Sequence, residues 1–287
     1  ARGAAVDRTH VGQGAAYPRS MELTRRGALR VGVRAVGAIV LAGCTAAPTP
    51  SPGTLGSEGA LTSTHWPGAS PRWRLVRPDP AVVPSPRLVV ALHGKGGSVG
   101  DASFLGLFDQ VSRLGVAVAA VDCGGTYFHA RRDGSDVGAM VIDDLLPVLR
   151  TQGVSPAPVG LLGWSMGGYG ALWLAARYGR DVIGAVGCMS SALWTSPGAS
   201  APGDFDDRAD FVAHDVFART KAFAGRPLRL DCGTSDPFIA ANRAFAKLVP
   251  DAVVTFDAGG HDDTYWRAHG IRQLEWFAQN LPAVSPT

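Results

Sequence analysis

Three side chains, far apart in the sequence, have the types needed to turn a hydroxyl into a nucleophile for a carbonyl carbon. Ser165 lies in Gly163-Trp164-Ser165-Met166-Gly167-Gly168, a Gly-x-Ser-x-Gly run. A serine hydroxyl is a weak nucleophile at neutral pH. It needs a histidine to take its proton and a carboxylate to hold the imidazole in the right tautomer. Three histidines follow Ser165. His214 falls in an irregular stretch and His269 inside the last helical stretch, whereas His261 stands in Gly259-Gly260-His261-Asp262-Asp263, just past an apolar run at 253–256. His261 is therefore the candidate base. Asp236, in Cys232-Gly233-Thr234-Ser235-Asp236-Pro237, follows the apolar run 228–232 and is the candidate acid. Asp231 lies inside that run, Asp257 closes the next one, and Asp262 and Asp263 are neighbours of the base. The alternative for Asp236 is an N-cap ahead of Ile239.

The glycine spacing has a steric reason. A serine on a tight strand-to-helix turn carries strained backbone angles, and side chains two residues to either side would collide. The tetrahedral intermediate of acyl transfer also needs preorganised donors for its oxyanion. The backbone N–H of Met166 is one candidate. The other is the N–H of Lys95, in the glycine-rich loop Leu92-His93-Gly94-Lys95-Gly96-Gly97. That loop lacks Gly-x-x-x-x-Gly-Lys-Ser/Thr, so it does not read as a phosphate cradle. His93 is expected to brace the loop. His93, Gly94, Trp164, Tyr127 and Trp266 are the candidate substrate-contacting residues, with core packing the alternative for the aromatics. The cysteines have no metal-type spacing.

These residues need a scaffold that brings loops together. Apolar runs at 87–92, 116–121, 159–164, 182–189, 228–232 and 253–256 read as buried strands. Helical stretches are expected at 102–114, 137–150, 166–178, 239–248 and 265–280. Alternation of this kind predicts a mostly parallel central sheet with helices on both faces, in the α/β-hydrolase arrangement. Residues 193–213 break the alternation with Pro, Gly and the acids Asp204, Asp206, Asp207 and Asp210, and read as an excursion walling the site.

The N-terminal part reads as an address. Arg25-Arg26 and a short apolar run from Ala35 to Gly43 describe a twin-arginine signal, and Leu41-Ala42-Gly43-Cys44 resembles a bacterial lipobox, which implies cleavage before Cys44 and lipid attachment to it. The run is too short for a membrane span, which needs about 20 apolar residues. The expected layout is a leader at 1–43, a lipidated Cys44 with a flexible tether to residue 70, and a catalytic domain at 71–287. Such a chain would be exported and anchored to a bacterial cell envelope. Residues 1–44 hold seven arginines and two acids, leaving 20 basic and 22 acidic residues beyond them. A body with no basic excess is a poor match for nucleic acid. Cys123, Cys188 and Cys232 are expected as small buried hydrophobes.

Taken together, Leu92-His93-Gly94, Gly163 to Ala171, Cys232 to Asp236, Gly260-His261-Asp262 and Trp266 resemble the esterase D-like branch of the α/β-hydrolases, which includes the antigen 85 mycolyltransferases. Asp122-Cys123-Gly124-Gly125 with Tyr127, His129 and Arg131 is similar to that branch's loop beside the active site. The resemblance spans roughly residues 85 to 281. It implies hydrolysis of an ester or acyl-lipid substrate through an acyl-enzyme, without a cofactor. Transfer of the acyl group to a sugar hydroxyl is the alternative, and a catalytically silent envelope-binding protein is another. The antigen 85 proteins use Glu where Asp236 stands and Asp-Gly where this chain has His93-Gly94, which favours a plain esterase.

Overall fold

A computed structural model describes residues 53–281. One eight-stranded sheet runs through it, in the order β1-β2-β4-β3-β5-β6-β7-β8. The strands are β1 Thr54–Ala60, β2 Arg72–Pro78, β3 Arg87–Leu92, β4 Val116–Val121, β5 Val159–Trp164, β6 Ile183–Met189, β7 Leu228–Gly233 and β8 Val253–Asp257. The pairs from β4 through β8 are parallel, and β2 is antiparallel to both β1 and β4. The fold is that of the α/β-hydrolases.

Alternate residues of β3 show how the sheet divides the core. Leu88, Val90 and Leu92 pack on one face with the helix α5 (Met166–Arg177), and Val89 and Ala91 pack on the other with α8 (Asp263–Asn280). Strands covered on both sides must be apolar throughout, and β4, β5 and β6 are buried at every position.

Strand order also locates the site. β3 lies between β4 and β5, so the chain winds outward on one side of β3 and then on the other. The crevice beyond the carboxyl ends of β3 and β5 is the place where such sheets bind ligands. Leu92 pairs with Gly163 there, setting the loop after β3 beside the turn after β5.

Three expectations need correction. The tether expected to reach residue 70 ends earlier, because β1 pairs with β2 across seven residues. Its Gly- and Ser-rich sequence carries no strand signal, but an edge strand draws its backbone hydrogen bonds from its neighbour. β2 escapes a search for apolar runs because RWRLVRP mixes arginines with the buried Trp73, Leu75 and Val76. The helix expected at 102–114 is broken into α1 (Asp101–Phe104) and α2 (Val111–Leu114). Gly106, at φ +73°, turns the chain out of the helix between them. At 137–150 the helix is present, with one widened turn from Met140 to Leu145 leading into α4 (Leu146–Arg150). Pro147 near the start of α4 has no N–H to give to the preceding turn.

The leader and Cys44 lie outside the described residues. Among the described residues no helix is long and apolar enough to cross a membrane. Cys123, Cys188 and Cys232 are free and buried. Burial pushes all three thiols above their ordinary pKa. The thiolate is the reactive form, so these groups are inert in the folded protein. Iodoacetamide at neutral pH should modify none of the three in the native chain and all three after denaturation, as read by peptide mass mapping.

Candidate active site

Ser165 is the turn between β5 and α5, with φ 53° and ψ −119°. A positive φ at a residue with a Cβ is strained, and here close packing holds it. A Cβ on Gly163 would fall on the Gly167 carbonyl, and a Cβ on Gly167 would fall on the Leu92 carbonyl. The Ser165 N–H donates to Met189 O at 3.0 Å, and its carbonyl accepts from Ala192 N at 2.9 Å. The turn is thus tied to the end of β6.

Asp236 and His261 stand on the loops after β7 and β8. His261 Nε2 lies 3.0 Å from Ser165 Oγ, and His261 Nδ1 lies 2.8 Å from Asp236 Oδ2. A carboxylate can only accept, so Nδ1 carries the ring proton and Nε2 is left to accept from the serine hydroxyl. Asp236 is 2% exposed, and its other oxygen accepts the Phe238 N–H at 2.8 Å. The N-cap of α7 (Ile239–Ala246) is Phe238, so Asp236 tethers the chain just ahead of the helix without capping it. Burial disfavours its charge, but the hydrogen bond and charge of His261 and the Phe238 N–H outweigh burial. The carboxyl sits below its ordinary range. The two loops brace each other through Thr234 N to Asp257 O at 2.7 Å and Ser235 N to Gly259 O at 2.9 Å.

The loop after β3 approaches closely. A Cβ on Gly94 would stand 3.3 Å from Ser165 Cβ. His93 is buried and accepts the Cys123 N–H at Nε2 (2.8 Å), so its Nδ1 donates to Gly94 O (2.7 Å). This is a neutral imidazole used as a brace, and burial lowers its pKa accordingly. Met166 opens α5, so its N–H has no partner within the helix. Lys95 extends its side chain to Asp204, with Nζ 2.6 Å from Oδ1. Asp204 is fully buried, so this ion pair pins the excursion to the loop.

The substrate-contacting candidates divide. Trp266 meets His261 edge-on at 5.0 Å. His93, Trp164 and Tyr127 are 2%, 2% and 1% exposed, and pack in the interior instead of forming an open surface. Two aromatics beside the site were not singled out in the sequence. Phe238 lies 5.2 Å from the His261 ring, and Trp194 lies 5.8 Å from Phe238. Their signal was positional, since each follows the carboxyl end of a parallel strand. Asp231 is buried away from His261, held by Arg229 Nε and Gln273 Nε2 at 3.0 Å each.

His129, Asp210 and His214 bring three atoms capable of metal binding within 4.8 Å of one another. The two imidazoles are stacked at 4.3 Å with planes 23° apart, and their Nδ1 atoms lie 3.6 and 2.8 Å from Asp210 Oδ1. Burial, and then the neighbouring His214, lower the pKa of His129 to about 4 against the pull of Asp210. The unfolded chain takes this proton near 6.5, so folding is disfavoured progressively as pH drops from 6.5 toward 4. In His129→Phe that loss should shrink by on the order of 1–3 kcal/mol, measured by urea unfolding across the window.

The Esterase family model matches residues 137–286, just over half of the chain and the whole span from before Ser165 to beyond His261. The chain belongs to the Esterase family. An acetyl esterase of Caldicellulosiruptor saccharolyticus is 27% identical to this esterase-family chain over 142 residues, covering 41% of the chain and 53% of that protein. The chain thus spans about half the length of that curated relative. Among solved structures, a ferulic acid esterase superposes with a TM-score of 0.68 at 17% identity, covering 79% of this chain and 98% of that one. MPT51 of Mycobacterium tuberculosis superposes at 0.63 and 18%, covering 78% and 97%. At such identities the likeness is one of fold. The esterase-family chain shares its fold with both.

Proposed function

We propose that this chain is a serine carboxylic-ester hydrolase, with Ser165 as nucleophile, His261 as general base and acid, and Asp236 as the group that orients the imidazole. The observation that carries this reading is the unbroken relay from Asp236 through His261 to Ser165, at 2.8 and 3.0 Å. Family membership supports it, as does the acetyl esterase among the relatives.

In this mechanism His261 Nε2 takes the proton as Ser165 Oγ attacks the ester carbonyl. Asp236 stabilises the imidazolium that forms, and the Met166 and Lys95 N–H groups receive the oxyanion. His261 then protonates the leaving alcohol. Water, deprotonated by the same imidazole, releases the acid from the acyl-enzyme. Aromatic rings on both sides of His261, Phe238 and Trp266, limit its freedom to swing away from the serine.

The test is turnover of p-nitrophenyl acetate and butyrate by wild type and Ser165→Ala, with fluorophosphonate labelling in parallel. Wild type should turn over both esters and label at Ser165. The variant should lose about 10⁴-fold or more in turnover and all labelling. Equal rates in the two proteins would end the proposal.

A further inference from the structure

We infer that the ester accepted by this chain carries a short acyl group, and that the indole of Trp194 sets the limit. The inference rests on the hydrolase reading above and assigns its substrate class.

Trp194 follows β6 closely, and the chain just before it is bonded to the nucleophile's own carbonyl through Ala192 N. Its ring packs between two sets of aromatic neighbours. On one side it meets Phe238 edge-on at 5.8 Å, and Phe238 flanks His261. On the other it meets Tyr127 at 5.4 Å, over which Lys95 Nζ lies at 5.8 Å. Phe205 backs the indole at 5.8 Å and is itself packed on Phe211 at 5.0 Å. All five rings are less than a tenth exposed. An acyl chain growing from the carbonyl into this wall meets close-packed aromatic rings where a long-chain enzyme would need a channel.

The wall is also fixed in place. The excursion that contributes Phe205 and Phe211 is held by Lys95 on Asp204 at 2.6 Å, by Arg131 on Asp206 at 2.9 Å, and by Arg132 on Asp207. Trp194 also lines a cavity, together with Tyr169, Leu193, Phe205 and Phe211, with room for about one water molecule. Truncating the indole would enlarge that space.

The experiment measures kcat/KM for p-nitrophenyl acetate, butyrate, octanoate and laurate with wild type, Trp194→Ala and Trp194→Phe. Wild type should favour acetate and butyrate over octanoate by about tenfold or more, and Trp194→Ala should raise the octanoate-to-acetate ratio by at least about tenfold. Trp194→Phe should fall between them. A ratio measured on one preparation is independent of the fraction of molecules folded, and Trp194→Phe keeps a ring in place should the alanine variant not fold. Octanoate or laurate preferred by wild type would overturn the inference, as would an unchanged ratio in both variants. Fluorophosphonate labelling of Ser165 separates the two levels. Labelling with an unchanged ratio sinks only the acyl limit, whereas no labelling and no turnover of any ester sinks the hydrolase reading and this inference with it.

Discussion

Asp236→Asn is expected to lower kcat/KM on p-nitrophenyl butyrate by about 10³–10⁴-fold with the fold intact. The asparagine side chain has nearly the same shape, and its oxygen can still accept the Phe238 N–H. Its amide NH2 then points at His261 Nδ1 and donates where the carboxylate accepted. The ring is driven to carry its proton on Nε2, facing Ser165, and a protonated nitrogen cannot take the hydroxyl proton. The loss should appear in kcat, because the tautomer matters to proton transfer and not to substrate capture. Since the wild-type carboxyl is held below its ordinary range, its contribution to stability is present at neutral pH. That contribution fades as pH falls through the folded value. The asparagine variant should lack this acid-side term. A variant with more than a tenth of wild-type turnover would remove Asp236 from its assigned role.

Gly163→Ala and Gly167→Ala are expected to be the most damaging single-methyl additions to the chain. In both cases the new Cβ lands on a backbone carbonyl, Gly167 O for one and Leu92 O for the other. Backbone cannot rotate aside as a side-chain tip does. Overpacking of this kind costs about 1–3 kcal/mol when neighbours can yield, and values beyond about 4 mark a site that cannot. Here the upper range is expected, a fall in Tm of about 8 °C or more for a domain this size, together with loss of Ser165 labelling. Gly198→Ala, where an added Cβ meets nothing within 4 Å, is the matched control and should leave Tm unchanged.

The parts of the site legible in the sequence share one property. Ser165, Asp236 and His261 each sit in a glycine-bearing loop directly after an apolar run, and a parallel sheet delivers such loops to one edge. The strands β3 to β6 were legible because burial on both faces leaves them almost wholly apolar, and β7 and β8 showed as shorter apolar runs at the edge of the sheet. What was hidden has equally specific causes. β1 is stabilised by its partner's backbone and so carries no apolar signature. Gly106 breaks a helix that composition alone would continue. Lys95 and Asp204 form an ion pair across 109 positions of sequence, a pairing that no local pattern encodes. Trp164 and Tyr127, expected to contact substrate, are buried, with Tyr127 packed against Trp194. Trp194, near the site, drew no notice because an aromatic after a strand looks like any other core residue.

The position of β8 bears on how the protein loses activity. β8 is an edge strand, paired on one side only, and its Val253 and Val254 are 46% and 39% exposed. The loop leaving it carries His261, and its end holds the Asp236 loop through Asp257 O and Gly259 O. Peripheral strands fray before a sheet's centre does. Heating should therefore detach the imidazole from the hydroxyl while β3 to β6 remain assembled. Inactivation would then run ahead of bulk melting and reverse on cooling.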